Sequence, residues 1–391
     1  MTPADASTVV VVGAGHSGLS TAAALARRGI PVVILERTDT VGSTWRNRYE
    51  ALRLNTERWG SALPGLTLGT GGSRWPSTAE FADYLGRYAE HHQLRPRFGV
   101  QVERVTPGPS GTARILTSDG ALEASAVVLA TGPDQLPQLP DWPGQADFRG
   151  SVLHAADYRR PGPFAGHRVL VVGGGESGAD IALDLARGGA RQVWLSVRTP
   201  PYIVKPDLLR LPAQRMAILA RSQPAAVFDL NAEVVRRYSV GDLSAYGLGR
   251  PPSLHDSARV RGKAPILDRG FLDAIRQRTI HVISAVTAVR ETTVLLADGQ
   301  SVEPDAIIAA TGYAPGLDPL VGHLGLLGPT GMPAANAPKA PANQPALFFA
   351  GYAPVLTGAI REAGRISRQT ARQIQRYLIS APKAPRGSIP G

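Results

Sequence analysis

Gly13, Gly15 and Gly18 stand at the spacing G-x-G-x-x-G, between an apolar run and an Ala/Leu-rich stretch, in VVVVGAGHSGLSTAAALA. Gly173, Gly175 and Gly178 repeat that spacing in VLVVGGGESGADIALDLA. The chemistry such a turn serves is the holding of a pyrophosphate. The first glycine makes the tight turn, the second lets backbone approach the ligand, and the third lets helix pack on strand. The phosphates then sit on a helix N-terminus, where free N–H groups point outward. One such turn is weak evidence, but two in register, each between strand and helix, are strong.

The two copies differ where the adenosine ribose is read. Glu36, beside Arg37, closes the second strand of the first copy, where a carboxylate accepts from a ribose 2′-hydroxyl. The matching position in the second copy is Ser196, with Arg198 just after it. Losing a carboxylate and gaining a guanidinium suits a 2′-phosphate, so the second site is expected to hold NADP and the first an unphosphorylated ribose.

The elements that must position these residues are legible. Alternation of apolar strands with helical stretches predicts an α/β fold with two Rossmann-like dinucleotide-binding domains. Two strands end in A-T-G: Ala130, Thr131 and Gly132, then Thr311 and Gly312 followed by Tyr313. Their short side chains let the chain pass close to a dinucleotide. Gly42 and Trp45 lie beyond the first unit, where either a flavin contact or a core tryptophan is consistent with them. A helix capped by Ser77 or Thr78 is predicted over the Phe81–Tyr88 stretch. GVQVERV and ARILTS read as strands of a small antiparallel layer. PAQRMAILARSQ and FDLNAEVVRRYS read as helices that form a lid or wall over a cleft, with plain packing as the alternative. Gly358 opens a long final helix whose first turn could aim N–H groups at a flavin.

Composition narrows the field. The chain has 391 residues, no cysteine and a formal charge of +11. Without cysteine there is no disulfide, thiolate metal site or redox-active C-x-x-C. No metal site is expected at all. The positives are almost all arginines and are scattered, the lysines being Lys205, Lys263, Lys339 and Lys383. With no basic run interleaved with aromatics, nucleic acid is not an expected partner. No apolar run of about 18 residues occurs, so no membrane span is expected. Nor is a signal peptide visible, and the protein is expected to be soluble and cytoplasmic.

FRGSVLHAADY places Phe148, Gly150, His154 and Tyr158 ahead of the second glycine turn. By itself this is a connector with buried aromatics, and a lone His154 reads as a structural residue. The stretch also fits the F-x-G-x-x-x-H-x-x-x-[YF] signature of the flavin-containing monooxygenases, which the chain resembles over essentially its full length. VGSTWR is similar to the family's G-G-x-W element, with Ser43 in place of the second glycine. The form is closest to short members such as the plant indole-3-pyruvate monooxygenases and bacterial relatives.

The resemblance implies a larger FAD domain with a smaller NADP domain inserted. Its expected boundaries are 1–158 and 286–380 for FAD, 159–285 for NADP with a lid at about 205–250, and a flexible tail at 381–391. It assigns Gly13, Gly15, His16, Ser17, Gly18, Glu36, Arg37, Gly42, Thr44, Trp45, Arg46, Asn55, Thr56, Val102, Ala130, Thr131, Gly132, Gly351 and Gly358 toward FAD, with Val102 offering backbone to the adenine. Gly173, Gly175, Glu176, Ser177, Gly178, Ser196, Arg198, Thr311, Gly312 and Tyr313 fall toward NADPH. Asn55, in RLNTE, is the one residue assigned a catalytic place, near the reacting oxygen. Glu176 departs from the family, which commonly has Asn there. A carboxylate beside a pyrophosphate repels it unless turned away or paired.

The activity implied is NADPH-dependent oxygenation of a small molecule by O2 through a C4a-hydroperoxyflavin, at nitrogen or sulfur. Related Baeyer–Villiger enzymes usually end the signature in Trp, so Tyr158 favours that outcome. Baeyer–Villiger oxygenation, oxidative decarboxylation of a 2-oxo acid, an NADPH-flavin reductase serving a partner, and a non-catalytic flavoprotein remain alternatives. The substrate and a homodimeric state stay open.

Overall fold

The computed structural model describes residues 8–208, 211–220, 223–257, 264–334, 347–352 and 357–380. The tail expected at 381–391 lies outside them. Two parallel sheets, one per glycine turn, carry the fold. The first runs in the order Val32–Leu35, Val9–Val12, Ala126–Leu129, Leu347–Phe349. Val9–Val12 and Ala126–Leu129 are wholly buried, as unbroken apolar strands covered on both faces should be. The second has the order His281–Ile283, Gln192–Ser196, Arg168–Val172, Ala306–Ala309, Ser151–His154. It therefore takes in residues 151–154 and 306–309, which the expected boundaries gave to the first domain.

Small side chains on the first helix, His16–Ala26, let the final helix, Ala359–Ser380, pack closely over it; Ser20 and Ser367 share a hydrogen bond of 2.8 Å at the contact. Ser77 caps the Thr78–His91 helix through the Glu80 N–H, as its sequence predicts. Antiparallel layers at Val102–Pro107 with Ala113–Ala124, and at Val286–Val302, flank the sheets. The segment expected to form a lid contains helices Ala213–Leu219 and Ala225–Ser239.

The two halves meet through their A-T-G exits. Leu136–Pro137, after the first, pairs antiparallel with Tyr313–Ala314, after the second. Gln138 N–H donates to the Gly312 carbonyl at 3.0 Å. This pairing turns both strand ends toward one shared cleft.

Candidate active site

Each glycine in the two turns meets the same surroundings as its counterpart. A Cβ on Gly13 would lie 2.8 Å from the Ala130 carbonyl oxygen, and one on Gly173 would lie 2.2 Å from that of Ala310. A Cβ on Gly18 would meet Gly13 O at 1.9 Å, and one on Gly178 would meet Gly173 O at 1.8 Å. Gly15 and Gly175 face open space, with nothing within 4 Å of such a Cβ. The first and third glycines are thus consumed by the fold, while the middle one faces open space, which fits the close approach of a pyrophosphate.

On the flavin side, Glu36 is buried; its carboxylate accepts from Ala14 N–H at 2.7 Å and from Thr38 N–H at 3.0 Å. It so stands at the strand end beside the glycine turn, where a ribose is read. The Ser17 hydroxyl is buried with no partner, and Gly351 lies against it, a Cβ there coming within 2.5 Å of Ser17 Oγ. An orphaned donor at the helix N-terminus, next to open space at Gly15, fits a phosphate oxygen. Gly358, at φ +103°, would press a Cβ to 2.4 Å from Thr56 Cγ2, so the start of the last helix abuts Thr56. Thr131 shares a 2.6 Å hydrogen bond with Tyr352, a partner the sequence gave no cue for.

Other flavin-side expectations fare differently. Trp45 packs edge-on against Phe81 at 5.0 Å and His16 at 5.9 Å, which places its ring at the edge of the core. Burial pushes the His16 pKa down to about 4, so the turn carries a neutral imidazole. Arg46 turns outward to Asp83 at 2.9 Å, and Thr44 and Arg37 are exposed. Val102 has its side chain in the core with Val10 and Leu35.

On the nucleotide side, Gly173, Gly175, Glu176, Ser177, Ser196, Arg198, Thr311, Gly312 and Tyr313 line one cavity of about 720 Å³. The sequence-assigned set is brought together almost whole. Ser196 is buried and donates to the Ser284 carbonyl at 2.8 Å, leaving Arg198, exposed and without an ion pair among the described residues, as the group free to meet a 2′-phosphate. Arg48, which the sequence did not single out, also lines this cavity and bonds the Tyr313 hydroxyl at 2.9 Å and Asp134 at 2.8 Å. The residues present fit FAD in the first cradle and NADP in the second.

The 148–158 signature is a brace. A Cβ on Gly150 would lie 2.5 Å from Asp305 O. His154 is buried; Ala156 N–H donates to its Nδ1 at 3.0 Å, which makes Nε2 the protonated nitrogen, bonded to Gly312 O at 3.1 Å. Burial holds its pKa below the usual range. Tyr158 is buried and its hydroxyl donates to Asp184 at 2.7 Å, and it does not line the cavity. His154 lines the cavity, but both its ring nitrogens are engaged by backbone groups.

Asn55 comes from the flavin half and meets the nucleotide half. Its Nδ2 donates to Glu176, so this carboxyl is paired where it lines the cavity. Burial first, and then the nearby Asp180 carboxylate, push the Glu176 pKa up to about 8, although the side chain is only half-buried. Tyr49 bonds Asp180 at 3.2 Å across the same junction. Gln214, on the Ala213–Leu219 helix, bridges two distant segments, accepting from Glu57 N–H at 3.1 Å and donating to Thr357 O at 3.1 Å. Among the described residues no cluster could hold a metal ion, and no helix is long and apolar enough to cross a membrane.

Comparison with known proteins gives the same picture over the whole chain. Residues 10–211 match the family described as pyridine nucleotide-disulphide oxidoreductase. The chain is 36% identical over 309 residues to the indole-3-pyruvate monooxygenase YUCCA1 of Oryza sativa subsp. japonica, covering 78% of this chain and 76% of that protein. It is 31% identical over 373 residues to the probable indole-3-pyruvate monooxygenase YUCCA4 of Arabidopsis thaliana, covering 94% and 90%. A flavin-containing monooxygenase from Stenotrophomonas maltophilia superposes with a TM-score of 0.73 at 25% identity, over 95% of this chain and 98% of that one. With no cysteine to support disulfide chemistry, and with both dinucleotide cradles intact, the chain belongs to the flavin-containing monooxygenase family and is an FAD- and NADPH-dependent monooxygenase.

Proposed function

We propose that this enzyme oxygenates a small organic molecule where Asn55 meets the nucleotide cleft, and that its substrate is a 2-oxo acid. The supporting observation is the likeness, across both halves, to proteins named indole-3-pyruvate monooxygenases. The balanced reaction takes a 2-oxo acid, O2, NADPH and a proton to the shortened carboxylic acid, CO2, water and NADP+. When bound, NADPH supplies the hydride and FAD the oxygen-activating chemistry.

The chain's own residues bind, orient and exclude. The helix beginning at His16 and the free Ser17 hydroxyl receive the FAD pyrophosphate, and Glu36 receives the ribose. Arg198 holds the 2′-phosphate of NADPH. Asn55 presents its carboxamide to the reacting atoms. Gln214 seals the lid segment over Glu57 and Thr357, keeping water from the junction. With His154 held neutral between two backbone groups, the protein contributes alignment rather than a catalytic triad.

Oxygenation at nitrogen or sulfur is the second reading, and the tyrosine that ends the signature favours it. Incubating the enzyme with NADPH and either indole-3-pyruvate or an amine or thioether series separates the two. Stoichiometric CO2 and shortened acid per NADPH supports the first. N- or S-oxide with no CO2 replaces it with the second.

A further inference from the structure

The carboxamide of Asn55 is gripped at both ends. Its Nδ2 donates to Oε1 of Glu176, and its Oδ1 accepts from the Arg269 guanidinium at 3.3 Å. A guanidinium only donates, so the oxygen end must face Arg269 and the nitrogen end must face the carboxyl. The same guanidinium donates to the Leu54 carbonyl at 2.8 Å, so the loop backbone is held together with the side chain. Both holders belong to the nucleotide half. Glu176 opens the helix that follows the second glycine turn, and Arg269 immediately precedes the turn into the Phe271–Arg276 helix.

We propose that Glu176 and Arg269 are positioning residues that fix the orientation of Asn55, and that through Glu176 the nucleotide in the cleft is coupled to that orientation. This rests on the place proposed for Asn55 at the reacting atoms. It also accounts for the departure at Glu176. A carboxyl at the first turn of the nucleotide helix is tolerable when its lone pairs are engaged and its charge is suppressed. The groups facing it are Asp180 on its own helix, held by Tyr49, together with Asp134, Arg269 and Asn55. Burial and the two aspartates favour the neutral acid, while Arg269 and Asn55 favour the anion. A neutral Glu176 still accepts from Asn55 Nδ2 and does not repel a pyrophosphate.

The test is a cycle on the FAD-loaded protein with Asn55→Ala, Glu176→Ala, the double variant, Glu176→Gln and Arg269→Lys. Two quantities are read: peroxide released per NADPH oxidised, and NADP+ affinity by calorimetry between pH 6.5 and 9. Glu176→Ala is expected to raise peroxide release severalfold, and to add nothing in the Asn55→Ala background. Glu176→Gln should restore coupling, since its carbonyl accepts the same bond, and Arg269→Lys should fall between. NADP+ binding to the unaltered protein should weaken about tenfold for each pH unit above the Glu176 transition, and binding to Glu176→Gln should stay flat. Additive losses in the double variant would overturn the clamp, and identical pH slopes for the two proteins would overturn its coupling to the nucleotide. If Asn55→Ala alone releases no extra peroxide, the place given to Asn55 falls first. If it does and Glu176→Ala does not, the clamp alone falls.

Discussion

His154 donates from Nε2 to the carbonyl oxygen of Gly312 at 3.1 Å, and so joins the strand that opens the second half to the A-T-G exit that closes it. The same carbonyl receives Gln138 N–H from the first half at 3.0 Å. One backbone oxygen thus ties both exits to the most recognisable stretch of the sequence. The histidine serves geometry, not proton transfer.

His154→Ala should therefore lower stability while leaving the shape of the pH–rate profile unchanged. Loss of a buried partner for two backbone groups costs about 1–3 kcal/mol. The folded pKa lies below the unfolded one, so the unfolded chain takes up the proton first as pH falls. Stability is thus full above the ordinary histidine value near 6.5 and is lost as pH drops toward the lowered folded value. Melting curves between pH 5 and 8 check this: the unaltered protein should show the acid-side loss and the variant should lack that share. A pH–rate profile that loses a limb in the variant would instead make His154 a base.

Arg198→Ala should weaken NADPH and leave NADH nearly untouched. A charge-assisted contact to a 2′-phosphate contributes about 1.5–3 kcal/mol, roughly ten- to a hundredfold in KM. Steady-state oxidation of the two cofactors is the comparison. Equal losses for both would show that the arginine does not read the phosphate.

The three glycines of the first turn should separate by substitution. Gly15→Ala meets open space and should fold normally, with a melting temperature of the flavin-free protein within a few degrees, yet lose bound flavin. Gly18→Ala drives a Cβ to 1.9 Å from the Gly13 carbonyl and should destabilise the fold by about 1–3 kcal/mol or more. Purified protein that stays yellow as Gly15→Ala would contradict the placement of the pyrophosphate.

Gln214→Ala removes the lid's two bonds to Glu57 N–H and Thr357 O. Each buried group left alone costs about 1–3 kcal/mol, which the local lid–flavin contact should register before the whole fold does. The expected result is faster proteolysis within the lid and more peroxide per NADPH. An unchanged cleavage pattern would count against the docking.

The local sequence carried a great deal. Glycine spacing, unbroken valine strands, Ser77 before its helix and the A-T-G ends are short-range features, each set by backbone conformation or by burial of a few neighbouring residues. They were enough for two dinucleotide cradles, and almost every residue they assigned toward the nucleotide lines its cavity. Other expectations needed the third dimension. Arg46 sits in a loop that resembles a cofactor-binding element, yet it lies one helix away from Asp83 and pairs with it. Ser151–His154 joins the second sheet because it pairs with Ala306–Ala309, which in turn pairs with Arg168–Val172, and parallel strands take partners far along the chain. Sequence order does not reveal such a partner. Gln214, Tyr352 and Arg269 carry no role in the sequence reading; each makes its contact with a group more than a hundred residues distant. Glu176 looked like a fault in the second turn when read along the chain. Only the packing of Asn55 and Arg269 around it decided that the carboxyl is paired, because hydrogen bonds and burial act through space and not along the backbone.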